Sequence, residues 1–168
     1  MRDARPHRRG LRRDRGCATV IASDVDAARR ELATRFGATV VVAPEDLAAA
    51  AQEHGADVIL ELSGSSRAVR AAFGVVDMGG RVALIGSVSP APEVGFEPSG
   101  FVKNLTSLVG CHNYRVDDLV EAVGFLGRTP VQRLFGELVP APYALRDIDA
   151  AVAASNAGTA PRIAVHMP

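Results

Sequence analysis

The feature that most constrains this chain is an alternation. From Ala18 onward, short runs of β-branched and aliphatic residues recur at intervals filled by helix-like stretches. Parallel strands need a crossover that covers the sheet face, so buried strands alternating with helices are the sequence form of a parallel α/β sheet. Residues 18–23 predict a first strand, and Asp26 is placed to cap the helix that follows. That helix has Ala28, Leu32 and Phe36 on its apolar side and Gly37 at its end. Residues 39–42 predict a second strand. Pro44 then opens a helix with Leu47, Ala50 and Ala51 inward, closed by Gly55. A third strand over 57–61 precedes a helix over 66–73 with Val69, Ala72 and Phe73 inward, and a fourth over 81–85 stops at Gly86.

Pro90, Pro92 and Pro98 predict an irregular loop over 87–100. Residues 105–110 predict a fifth strand, and 117–126 a helix with Leu119, Val123 and Leu126 on one face. The character changes after Gly127. Residues 137–139 predict a brief strand, 145–155 a helix with Ile148, Ala151, Val152 and Ser155 inward, and 162–165 a last strand. The expected domains are therefore a leader over 1–15, an α/β domain over 16–136 and a tail over 137–168.

Composition narrows the class. With 168 residues, 48% of them hydrophobic, the chain suits a soluble globular fold. No apolar run approaches the ~20 residues of a membrane span, and no signal-like stretch is visible, so a cytoplasmic protein is expected. Only Cys17 and Cys111 are present, which excludes a disulfide framework and a four-cysteine zinc site. The net charge is zero, yet residues 1–15 hold seven arginines and two acids. The remaining chain carries 12 basic and 17 acidic groups, a net charge of −5. A nucleic-acid-binding arm is one reading of the leader, but no aromatic residue interleaves it and the acidic body repels phosphate. Out-of-frame or disordered text is the other.

Few residues carry chemistry. Asp24 lies just past the first strand, where ligands of open α/β sheets bind, and could accept both hydroxyls of an adenosine ribose. A capping or solvated aspartate is the bland alternative. Arg29, one turn into the next helix, could lie along the same ribose or stand exposed. The next strands end in Ser63-Gly64 and Gly86-Ser87, small residues that let a flat cofactor approach the backbone, as ordinary turns also would. His7, His54, His112 and His166 are scattered singly, and no nucleophile elbow, metal-ligand spacing or glycine-rich phosphate loop appears. No catalytic or metal-binding residue is identified.

Four segments together resemble a known family. Ala18-Thr-Val-Ile-Ala-Ser-Asp24, Gly55-Ala-Asp57 through Glu61-Leu-Ser-Gly64, Gly79-Gly-Arg-Val-Ala-Leu-Ile-Gly86 and Ala157-Gly-Thr-Ala-Pro-Arg162 are similar to the coenzyme domain and C-terminal tail of zinc-type medium-chain alcohol dehydrogenases. The 105–126 stretch, with Cys111-His-Asn-Tyr114, is similar to a branch associated with phosphonate metabolism. The resemblance implies a Rossmann-like parallel sheet with flanking helices, lacking its first strand and glycine-rich loop, so that a central position lies empty between the Thr19–Ala22 strand and the Asp57–Glu61 strand. It implies that Asp24 holds the adenosine ribose and favours NAD over NADP, with Arg29 nearby. Ser63, Gly64, Gly86 and Ser87 would line the nicotinamide ribose, Cys111, His112 and Asn113 the carboxamide, and Arg162 the pyrophosphate.

The expected function is thus that of a fragment of an NAD-linked zinc-dependent alcohol or aldehyde oxidoreductase. The zinc belongs to a catalytic domain of the parent enzyme, and the 137–168 tail packs on that domain. The partners are the dinucleotide and a small alcohol or aldehyde, with neither membrane nor nucleic acid involved and homo-oligomer formation left open. The alternative is a non-catalytic nucleotide-binding or interaction module.

Overall fold

The β-branched runs become strands as expected, and each pairs with a parallel neighbour. The computed structural model describes residues 17–167, so the arginine-rich leader lies outside the described residues. Strand β1 (Ile21–Ser23) pairs with β2 (Val40–Val42), Ile21 opposite Val40. Strands β3 (Val58–Glu61), β4 (Arg81–Leu84) and β5 (Ser107–Gly110) form a second parallel sheet in that order, with Leu60 opposite Ala83 and Ala83 opposite Val109. Among the described residues, the two sheets are not hydrogen-bonded to each other. Among the described residues, β1 pairs only with β2, and β3 only with β4.

Helices supply the layer that spans the two sheets. Helix α1 (Ala27–Arg35) packs on β1 and β2, while α2 (Leu47–His54) touches β1, β2 and α3 (Ser66–Val75), which in turn lies on β3 and β4. The core sits in this layer. Ala50, Ala51, Val69 and Ala72 are buried between helices and strands, and Val82 of the central strand is wholly buried. This is the anticipated α/β class, a Rossmann-like parallel arrangement with flanking helices.

The expected caps hold. Asp26 accepts from Ala28 N at 2.7 Å and Arg29 N at 3.1 Å, and Gly37 and Gly55 take positive φ at the ends of α1 and α2. Pro44 opens a 3-10 turn leading into α2.

The chain from Cys17 divides into two compact units, one ending at Asn113 and one beginning at Tyr114. The second contains α5 (Val116–Arg128), α6 (Gln132–Glu137), β6 (Tyr143–Ala144), α7 (Ile148–Asn156) and β7 (Val165–His166). Phe125 and Phe135 join α5 to α6 edge to face, and β6 pairs in parallel with β7.

Several local expectations are corrected. The 87–100 segment is not irregular throughout, because helix α4 (Pro98–Asn104) starts within it. Pro98 has its fixed φ at the first helical position, where a missing N–H is harmless, and Glu97 accepts from Ser99 N and Gly100 N. Leu105 ends α4 in a left-handed conformation, so β5 begins later than expected. Of the expected strand over 137–139, Glu137 instead ends α6, whose run Gln-Arg-Leu-Phe consists largely of good helix formers, and Leu138 and Val139 form the turn after it. The 145–155 helix is a 3-10 turn followed by α7, and of its four expected inward residues only Ala151 is buried. The last strand is shifted to Val165–His166, and its partner β6 was not anticipated.

Asp26 makes the first unit sensitive to acid. Hydrogen bonds from the Arg29 and then the Ala28 backbone N–H hold its carboxyl below the ordinary value of 3.8. A depressed folded-state pKa stabilises fully above the unfolded value, and that stabilisation is lost as pH falls through the folded one. Thermal melts from pH 5 to pH 2 should therefore show a decline in melting temperature that is smaller in Asp26→Asn, whose uncharged oxygen still caps α1. An identical decline in both proteins would refute the assignment.

Candidate functional site

The carboxyl ends of β3 and β4 meet in an unusually close contact. Gly64 has φ +70°, and a Cβ there would stand 2.4 Å from Gly86 O. A Cβ on Gly86 would stand 2.3 Å from the Leu62 carbonyl carbon. No side chain fits at either position, so both glycines are required by space, and Gly64 by its conformation as well.

One residue holds this contact together. Glu61 is 5% exposed, the one charged side chain buried among the described residues. Its Oε1 accepts from Ser63 N at 2.8 Å, Ser63 Oγ at 2.6 Å and Gly64 N at 3.1 Å, while Oε2 lies 3.2 Å from Gly64 N. Its backbone oxygen accepts from both Ile85 N and Gly86 N at 2.9 Å. Ser63 Oγ accepts in turn from Ser65 N at 3.1 Å, just before α3 begins. A buried carboxylate without a cation is tolerated only when donors replace its water, and three do so here. Glu61 was not among the expected site residues. Its signal in the sequence is an acid ending an apolar strand two residues before Ser63-Gly64.

The other expected residues fall into three places. Asp24 is half-buried just past β1, with Oδ1 accepting from Asp26 N at 2.9 Å and Oδ2 3.8 Å from an Arg29 guanidinium nitrogen. It therefore does not cap α1, which Asp26 does. Arg30, also not anticipated, donates to Asp24 O at 2.7 Å and Val25 O at 3.0 Å and so fixes the turn that presents Asp24. Ser63, Gly64, Gly86 and Ser87 are brought together at the ends of β3 and β4. Cys111 follows beside them, its N–H donating to Leu84 O at 2.9 Å. His112 Nε2 and Asn113 Nδ2 are 3.0 Å apart, and Asn113 has φ +56°. All three are exposed. Arg162 belongs to the second unit, is exposed and donates to Pro161 O at 2.9 Å.

Comparison with known proteins decides the family. The zinc-binding dehydrogenase profile matches residues 11–128. The chain belongs to the zinc-binding dehydrogenase family. Among curated relatives, the L-threonine 3-dehydrogenase of Anaeromyxobacter dehalogenans is 45% identical over 84 residues, covering 46% of this chain and 24% of that protein. The L-threonine 3-dehydrogenase of Symbiobacterium thermophilum is 28% identical over 154 residues, covering 88% of this chain and 44% of that protein. The chain thus spans less than half the length of these relatives. Among solved structures, an alcohol dehydrogenase from Thermotoga maritima aligns with a TM-score of 0.83 at 23% identity, covering 90% of this chain and 44% of that one. Two further structures share the fold. An alcohol dehydrogenase from E. coli complexed with NADH has a TM-score of 0.71 at 15% identity and covers 88% of this chain and 44% of its own. A zinc-binding dehydrogenase from Sinorhizobium meliloti bound to NADP has a TM-score of 0.67 at 21% identity and covers 92% of this chain and 44% of its own. No described helix is long and apolar enough to cross a membrane.

The Glu61 contact gives a graded expectation. Glu61→Ala strands the Ser63 and Gly64 donors and should cost about 3 kcal/mol, since each buried unsatisfied group costs roughly 1–3 kcal/mol. Glu61→Gln keeps an oxygen at the Oε1 position and should cost only about 1 kcal/mol. Urea denaturation of both variants measures the difference. A Glu61→Ala cost under about 0.5 kcal/mol, typical of an ordinary surface change, would contradict the clamp.

Proposed function

We propose that this chain supplies the cofactor-binding part of an NAD-linked, zinc-dependent alcohol or aldehyde oxidoreductase. The observation that carries the reading is Asp24, a half-buried carboxylate just past a parallel strand with Arg29 at 3.8 Å. A carboxylate in that position accepts the two hydroxyls of an adenosine ribose and repels a 2′-phosphate, which favours NAD over NADP. Ser63, Gly64, Gly86 and Ser87 would accommodate the nicotinamide ribose, because the fixed, side-chain-free backbone at Gly64 and Gly86 permits close approach. Cys111, His112 and Asn113 would lie beside the carboxamide, and Arg162 would neutralise the pyrophosphate.

When bound, the nicotinamide supplies the hydride acceptor for alcohol oxidation. The chain's own residues bind and orient it. Asp24 fixes the adenosine end, and the Glu61 clamp keeps the backbone at the other end in place. Zinc is a different matter. Among the described residues, no three His, Cys, Asp or Glu side chains are grouped as a metal site requires. They do not fit the family's metal, and no step through zinc is assigned to them. In this reading the zinc and the alcohol are held by protein outside the described residues, and residues 137–168 pack against that part. L-threonine is the first substrate to try, given the relatives' name.

Calorimetric titration tests the cofactor reading. NAD should bind more tightly than NADP. Asp24→Ala should weaken NAD roughly tenfold to a hundredfold, the equivalent of losing ~1.5–3 kcal/mol of charge-assisted hydrogen bonding. The same change should narrow the preference over NADP, and Arg162→Ala should weaken both dinucleotides. Equal affinity for NAD and NADP, unchanged by Asp24→Ala, would overturn the reading.

A further inference from the structure

The segment between β4 and α4 roofs a cavity of about 310 Å³ on the α3 side of the sheet. Leu84 and Leu108 form its floor, Val69 and Phe73 of α3 its wall, and Val94 and Phe96 its roof. The two floor residues share a sheet face, since Val82 stands opposite Leu108 and Leu84 follows Val82 by two.

The roof is fastened. Ser66 Oγ donates to Pro92 O at 2.8 Å, and an Arg70 guanidinium nitrogen donates to Glu93 O at 3.3 Å. Phe96 packs edge to face on Phe73 at 6.1 Å between centroids and against Phe101 at 4.7 Å. These contacts tie the loop to α3 and α4. Gly64, Ser87 and Ser89 also border the cavity.

We propose that this cavity is a binding site for a neutral aromatic molecule of one or two fused rings. Charge decides the first property. No lining residue has an ionisable side chain, so an ion entering would lose its hydration without a counter-charge. Shape decides the second, because Phe73 and Phe96 already meet edge to face and a flat ring can extend that packing. Size sets the limit. The volume is about twice the ~150 Å³ of an apolar cavity known to hold benzene, so a bicyclic ring fits where benzene alone would leave a gap. The Ser87 and Ser89 hydroxyls offer one polar contact to the ring's edge. The cavity shares Gly64 and Ser87 with the proposed nicotinamide crevice but uses neither Asp24 nor Arg162, so indole binding that survives Asp24→Ala is distinguished from dinucleotide binding.

Indole is a suitable probe, titrated into the whole chain without nucleotide and followed by calorimetry or by NMR shifts. Saturable one-to-one binding is expected. Val69→Phe and Leu108→Trp, which fill the cavity from the wall and the floor, should each weaken it at least tenfold. Indole-3-carboxylate should bind at least tenfold more weakly than indole. Circular dichroism reports whether each variant folds. Leu108 is 42% exposed on an edge strand, so its variant decides the matter should Val69→Phe fail to fold. Three results would overturn the proposal: binding that does not saturate, binding unchanged in a folded cavity-filling variant, or equal affinity for the carboxylate.

Discussion

The carboxylate of Glu61 is the interaction on which the candidate site depends. The sheet alone would align β3 and β4 through Leu84, but it cannot dictate how the chain leaves each strand. Glu61 does both tasks from one residue. Its backbone oxygen takes the N–H groups of Ile85 and Gly86 at the exit of the neighbouring strand, and its side chain takes the first two N–H groups of its own exit turn beyond Leu62. The close approach of Gly64 to Gly86 follows, and with it the absence of side chains where a flat ligand would lie. Ser63 extends the arrangement to Ser65 and the start of α3. The roofed cavity beneath the next loop begins at that same helix, so its wall is positioned by the turn that shapes the crevice.

The two sheets are a second constraint, visible in burial along β3. Ile59 and Glu61 lie on the covered side, whereas Val58, Leu60 and Leu62 alternate on the other and are exposed. Polar residues would be expected at those positions in a sheet with a solvated face. Three large aliphatic side chains instead mark a face suited to burial, next to an unpaired strand edge. On the covered side, Val82 is wholly enclosed by α3 and its neighbours, so that face contributes most of the first unit's hydrophobic stabilisation. The unit is thus stabilised asymmetrically.

Local chemistry was readable in the sequence where one residue type decides the outcome. Asp26 as a cap, Gly37 and Gly55 as helix ends and Pro44 as a helix opener each depend on backbone geometry that few other residues satisfy. The parallel α/β class followed from the same local pattern repeated. Readings failed where two signals competed. Pro98 reads as a loop residue beside Pro90 and Pro92, yet proline also favours the first turn of a helix, and Glu97 ahead of it supplies the cap that settles the choice. Leu138 and Val139 read as strand because two aliphatic residues precede Pro140, although the helix from Gln132 carries through Glu137. Glu61 escaped notice for a different reason. The acid at the strand end is visible in the sequence, but its role comes from burial and from the approach of β4, and neither can be read along one strand.

Helix α5 illustrates what local order can and cannot do. Asp117 and Asp118 stand in its first turn and Arg128 in its last, both complementary to the helix dipole. Asp118 also accepts from Arg115 N at 2.8 Å. These terms are worth a few tenths of a kcal/mol to about 1 kcal/mol each, and thirteen residues are near the lower length limit for an isolated helix. Its apolar stripe of Leu119, Val123 and Leu126 is legible from spacing alone, yet the three residues are 47%, 61% and 39% exposed. Periodicity therefore identified the helix and the face suited to burial without establishing that the face is covered. The edge contact of Phe125 with Phe135 is the tertiary support that joins α5 to α6. Spacing reveals which side of a helix is apolar, and only the packing of the folded chain reveals whether that side has a partner.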